Sequence, residues 1–166
     1  MSSFFRDKSN FDSELDRMIA HDPEIKMGER LRSHIDRFLP KMEPGSTFLD
    51  AGCHLGYMYH ILINEMKLDI KYSGIDVRED YVEFANRRFG PYFEVKDFMD
   101  ETRKFDYVWC TQMPIYDVVN KIDSSAIGYF RHLAGLAKKK IVFSRVTWDT
   151  DILEKIKDDT FEIIIA

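Results

Sequence analysis

The stretch Phe48-Leu49-Asp50-Ala51-Gly52-Cys53-His54-Leu55-Gly56-Tyr57 reads as an apolar strand that ends in a glycine-punctuated turn and opens a helix. In a doubly wound sheet such a turn stands at the carboxyl end of the first strand, beside the point where strand order reverses and a crevice opens. A ligand held there lies close to the backbone. The next apolar run, Tyr72-Ser73-Gly74-Ile75-Asp76, ends on a carboxylate at the distance from the first turn expected of an acid that holds a ribose. Asp76 can accept from two vicinal hydroxyls at once, the alternative being a cap for the helix that follows.

Working outward, short aromatic and β-branched runs recur at 47–51, 70–75, 92–95, 105–110, 141–143 and 161–166, so six strands are expected. Between them the stretches 55–66, 80–89, 125–137 and 151–156 carry helical spacing. Strand and helix in alternation predict an α/β fold: a doubly wound, mostly parallel sheet covered on both faces. Ahead of it, Phe11, Leu15, Met18 and Ile19, then Leu31, Ile35, Phe38 and Leu39, recur at helical spacing. Two N-terminal helices, as a lid or as packing helices, are therefore expected within 1–45, before a core at 46–166, in a single domain overall. The segment 111–123 has no clear period and reads as a loop at the working edge. The run Lys138-Lys139-Lys140 reads as a solvated helix end that complements the helix dipole.

At 166 residues the chain fits one ordinary domain, which excludes a separate substrate domain. With 24 basic and 29 acidic residues, net −5, a nonspecific grip on nucleic acid or an anionic membrane is not supported. A small-molecule substrate is the expected partner. Two cysteines, Cys53 and Cys110, are too few for a disulfide scaffold, and the opening MSSFFRDKSN lacks the basic-then-apolar pattern of a secretory signal. A cytoplasmic location is expected. No apolar run approaches the roughly 20 residues that cross a bilayer. No metal is expected, because Cys53, His54, His60 and Cys110 fit no ordinary zinc spacing.

The turn also narrows the ligand. A dinucleotide fingerprint needs glycine where His54 and Tyr57 stand, and no phosphate-binding Gly-x-x-x-x-Gly-Lys-[Ser/Thr] occurs. What the turn resembles is the first motif, Asp-x-Gly-x-Gly-x-Gly, of the class I S-adenosylmethionine-dependent methyltransferases, matched by Asp50, Gly52 and Gly56. Residues 72–76 followed by Tyr81, Ala85 and Arg88 resemble that family's second motif, 93–98 its third, 105–110 its fourth and 136–145 its fifth-strand segment.

The resemblance implies a Rossmann-like methyltransferase fold with S-adenosyl-L-methionine as cofactor. It places Asp50 and Gly52 at the methionine part of the cofactor, Gly56 also in the cofactor site, Asp76 on the ribose and Val77 against the adenine. Asp97 would meet the adenine amino group, Phe98 would offer its backbone amide to the ring, and Cys110 with Thr111 would close the site. His54, at the family's middle glycine, is a tolerated substitution, a pocket residue on the methionine carboxylate, or a sign that cofactor binding is lost. The family's sheet ends in a hairpin whose last strand inserts antiparallel beside the fifth. Here one strand follows the fifth, so the C-terminus reads as shortened: the edge is left short, is covered by a neighbouring protomer in a homo-oligomer, or the chain is trimmed.

Methyl transfer is an in-line displacement, and the protein's task is to align donor and acceptor in a dry site. For a hydroxyl acceptor the candidate bases by chain position are Tyr116, Asp117, His132 and Asp149. The segment 111–116 lacks the Asn/Asp-Pro-Pro-aromatic signature of family members acting on exocyclic base nitrogens. Met113, Ile115 and Tyr116 would form an apolar wall instead, suited to a small or medium-sized acceptor. The rival from another class is a noncatalytic methyltransferase-like binding or partner subunit.

Overall fold

The computed structural model describes residues 27–111, 124–144 and 162–165. In chain order these form α1 (Met27–Phe38), β1 (Ser46–Ala51), α2 (Tyr57–Tyr59, continued by a π-helix at His60–Glu65), β2 (Ile70–Asp76), α3 (Glu79–Phe89), β3 (Phe93–Val95), a 3₁₀ turn (Phe98–Asp100), β4 (Phe105–Thr111), α4 (Ser124–Leu136), β5 (Ala137–Ser144) and β6 (Glu162–Ile165). The expected helices at the N-terminal 11–19 and at 151–156 lie outside the described residues, as do 112–123.

The sheet has six strands in the order β3-β2-β1-β4-β5-β6, with every pairing parallel. Strand order reverses at β1, so the crevice expected of a doubly wound sheet opens at the carboxyl ends of β1 and β4. β6 pairs directly and in parallel with β5, through Lys140↔Glu162 to Phe143↔Ile165. No antiparallel strand stands between them.

Alternation along the strands sorts the core into two layers. Phe48, Tyr72, Tyr107, Trp109 and Val142 face one side, where α1, the α2/π segment and α3 cover them with Ile35, Met58, Tyr59, Ile61, Leu62, Val82 and Ala85. Leu49, Ala51, Ile75, Val108, Cys110, Ile141 and Phe143 face the other, under Phe130, Leu133 and Leu136 of α4. Helix α1 packs against the first of these layers. Its Ile35 is 1% exposed, and Arg32 forms a bidentate pair with Glu65, which His60 also reaches at 3.0 Å.

Two expectations are corrected here. The stretch 55–66 is not a plain α-helix: from His60 the winding loosens, and the Met66 amide reaches back five residues to the Ile61 carbonyl at 2.9 Å. The lysine run is not a helix end but the first half of β5, which begins at Ala137 directly after α4. Lys140 pairs with Tyr107 across a register irregularity between Phe105 and Tyr107, and Lys139 reaches Glu43 at 2.9 Å. Lys140 also pairs with Glu162 of β6, while Lys138 and Lys139 are exposed.

Candidate active site

The turn after β1 is built from three left-handed residues: Gly52 (φ 83°), His54 (φ 51°) and Gly56 (φ 86°). The Ile75 carbonyl of β2 accepts from the amides of Gly52 at 2.9 Å and Cys53 at 3.0 Å, which holds the turn against the second strand. At Gly56 a side chain is excluded twice. Its φ disfavours one, and a Cβ there would come within 2.9 Å of the Phe89 ring of α3.

Beneath the turn lies Asp50, 2% exposed. Asp50 and Tyr72 share a face of the sheet, with Gly74 paired opposite Asp50 in β2. That leaves room for the Tyr72 hydroxyl to donate to Asp50 Oδ2 at 2.5 Å. Among the described residues this is the carboxyl's one hydrogen bond, and no cation pairs with it. Burial pushes its pKa up to about 7, against the pull of the Tyr72 hydrogen bond, and the neighbouring Asp76 charge adds to the rise. A buried carboxyl without a cation is costly to ionise, so positive charge arriving above the turn would be favoured.

Asp76, half-buried, holds two backbone amides: Oδ2 accepts from His54 at 3.0 Å and Oδ1 from Arg78 at 2.9 Å. It is not the cap of α3, whose first flanking residue is Arg78. Burial raises its pKa while these two amides oppose the rise. Each oxygen retains a lone pair for a further donor. Beside it Val77 is 61% exposed, an apolar side chain at the rim of the crevice.

His54 serves the turn through its amide, while its ring leans on Tyr81 of α3 (centroids 4.1 Å apart) and stacks with Tyr57 (5.7 Å). The Arg78 guanidinium covers the same Tyr81 ring at 3.9 Å. Desolvation between the tyrosines, then the Arg78 charge, hold the imidazole neutral, with its pKa lowered to about 4. A neutral ring packed on two tyrosines is not a cationic contact for a carboxylate.

Asp97 is exposed, and its Oδ1 accepts from the Met99 amide at 2.9 Å, capping the 3₁₀ turn. Phe98 sets its ring edge-on to Tyr129 of α4 at 5.7 Å. Cys110 is 1% exposed and belongs to the second core layer. Burial also raises the Cys110 pKa, as it does for Cys53. His132 Nε2 lies 2.9 Å from the Phe98 carbonyl. Tyr116, Asp117 and Asp149 lie outside the described residues.

Sequence reasoning missed Tyr72 and Tyr57. Tyr72 was legible as a polar-tipped aromatic one pleat behind the position opposite Asp50, and Tyr57 as an aromatic three residues after the histidine.

No family model matches the sequence. Over 122 residues, 68% of this chain, it is 33% identical to the chloroplastic magnesium protoporphyrin IX methyltransferase of Arabidopsis thaliana, and it spans 37% of that protein's length. Among solved structures it is similar to the magnesium protoporphyrin IX methyltransferase of Synechocystis PCC 6803 with bound S-adenosylmethionine, with TM-score 0.54, 21% identity, 90% of this chain and 65% of that one. It is similar too to phosphoethanolamine N-methyltransferase 2 of Haemonchus contortus in complex with S-adenosyl-L-methionine, with TM-score 0.56, 16% identity, 79% of this chain and 32% of that one. At these identities the solved structures speak for the fold, and their differing acceptors show that the fold does not choose the acceptor. The motif series on β1 to β5, the strand order and the plant relative together identify the chain as a member of the class I S-adenosylmethionine-dependent methyltransferase family.

Proposed function

We propose that the chain binds S-adenosyl-L-methionine at the carboxyl ends of β1 and β2 and acts as a methyltransferase on a small or medium-sized acceptor. The observation that carries this reading is Asp50, a buried carboxyl with one hydrogen bond and no cation among the described residues, beneath a turn of left-handed residues. A ligand with a positively charged amino acid end would supply the missing charge. Asp76 then accepts the ribose hydroxyls on the lone pairs its two amide contacts leave over. Val77 packs on the adenine, Asp97 takes the adenine amino group and the Phe98 amide meets the ring. Gly52 and Gly56 let the backbone approach, and His54 contributes its amide contact to Asp76.

The cofactor supplies a methyl group activated on a sulfonium. The chain's own work is to bind, align and exclude water for an in-line transfer. For a hydroxyl acceptor, Tyr116 or Asp117 is the proposed base, since the His132 ring already holds a backbone carbonyl. The packing of His54 on Tyr57 and Tyr81 supports an enzyme over a noncatalytic partner subunit, because the ring has a seat outside the ligand's space. A screen with S-adenosylmethionine labelled in the methyl group against pools of small acceptors tests the activity. Transfer to at least one pool is expected; cofactor binding with no transfer to any pool would favour the binding-subunit reading.

A further inference from the structure

The peptide between Phe98 and Met99 is held at both ends. Its N–H, on Met99, donates to Asp97 Oδ1 at 2.9 Å. Its C=O, on Phe98, accepts from the Glu101 amide at 3.1 Å and lies 2.9 Å from His132 Nε2. A carbonyl can only accept, so Nε2 carries the hydrogen and donates. Because the peptide is planar, turning its oxygen also turns its N–H, and with it the direction in which the Asp97 carboxylate is held. His132 is anchored on α4, whose Phe130, Leu133 and Leu136 are buried in the second core layer. Asp97 is exposed on a turn that also meets α4 through Phe98, whose ring stands edge-on to Tyr129 and packs against the second core layer.

We infer that His132 is a positioning residue for the adenine end of the site: through the Phe98–Met99 peptide it fixes the Asp97 carboxylate where a ligand's exocyclic amino group would donate. The inference rests on the cofactor reading above. It also separates His132 from proton transfer to the acceptor, since its work is done by a donated hydrogen bond to the main chain.

The test compares S-adenosylhomocysteine with its inosine counterpart, in which a carbonyl replaces the adenine amino group, by calorimetric titration of the full chain. Wild type should prefer the adenine ligand by about tenfold, the worth of one well-made hydrogen bond. His132→Leu keeps a side chain for packing and removes the donor. It should weaken the adenine ligand by about five- to tenfold and leave the inosine ligand within about twofold, so that the preference collapses. His132→Gln, which can donate from a similar position, should restore most of the preference. In an Asp97→Ala background, His132→Leu should produce no further change in preference. Equal losses on both ligands, or an unchanged preference, would show that His132 only packs α4 and would overturn the inference. If His132→Leu fails to fold, the Asp97→Ala chain and His132→Gln decide: a preference intact without Asp97, or lost in a folded His132→Gln, overturns it equally. A wild type that binds neither ligand would instead overturn the cofactor reading itself, a different outcome from wild-type binding without His132 dependence.

Discussion

Replacing Asp50 with asparagine should change how the protein's stability depends on pH more than it changes stability at any one pH. In the folded chain burial lifts the Asp50 carboxyl from its ordinary 3.8 to about 7, so between those values the folded state holds a proton that the unfolded chain has released. Where the folded state binds more protons, stability falls as pH rises. The loss therefore begins near the ordinary carboxyl value and is complete once pH passes about 7. At about 1.4 kcal/mol for each tenfold difference in proton affinity, the whole interval is worth at most about 4 kcal/mol, and the part between pH 5 and pH 8 about 3 kcal/mol. The thiols nearest this carboxyl, Cys53 and Cys110, are themselves pushed upward by burial and stay neutral over this range. Asp76, whose charge adds to the rise at Asp50, is present in both proteins, so the difference reports Asp50 together with that coupling. Urea unfolding of wild type and Asp50→Asn at matched pH gives the comparison directly. The asparagine chain should gain about 3 kcal/mol on wild type between pH 5 and pH 8, and a cationic ligand on the wild type should flatten the difference. Parallel stability curves across that range would refute the claim that Asp50 is a buried carboxyl with no cation beside it among the described residues.

Asp76→Ala should weaken S-adenosylhomocysteine binding by roughly 1.5 to 3 kcal/mol and also cost about 1 to 2 kcal/mol of stability, because it orphans the His54 and Arg78 amides. Calorimetry and urea unfolding separate the two losses, and unchanged affinity would remove Asp76 from the site. His54→Gly relieves a left-handed side chain, worth about 1 kcal/mol, but gives up two ring contacts of about 0.5 to 1.5 kcal/mol each, so urea unfolding should show a small net loss. The ratio of the glycine chain's affinity to that of wild type should be constant from about pH 5.5 to 8, since the imidazole is neutral throughout; a ratio that titrates near pH 6.5 would place the ring on the ligand. Ile35→Ala should cost about 2 to 5 kcal/mol in denaturant unfolding, because α1 is part of the first core layer.

The architecture was legible because its signals are local. Each strand carries a short apolar run, and the order of glycine turn, acidic strand end and further strands is carried by spacing alone. Asp50, Asp76 and the glycines stood out for the same reason. What the sequence hid depends on neighbours brought together by folding. Six residues of π-helix have too few turns to be told from α-helix by period. Lys138 to Lys140 look like a helix end until Lys140 finds its partners Tyr107 in β4 and Glu162 in β6. Cys110 reads as a strand-end thiol, and only the face on which alternation sets it decides that it is core. His132 looked like a titratable group near the crevice; the Phe98 carbonyl it holds lies 34 residues away in the chain.

The central claim, a cofactor site at the carboxyl ends of β1 and β2, is tested most directly by titrating the protein with S-adenosylhomocysteine while following thermal unfolding, with NADH in parallel. The adenosyl ligand at about 100 times its dissociation constant should add about 2.7 kcal/mol of stability, and NADH should add none. No shift at millimolar S-adenosylhomocysteine, or a shift with NADH in its place, would contradict the account.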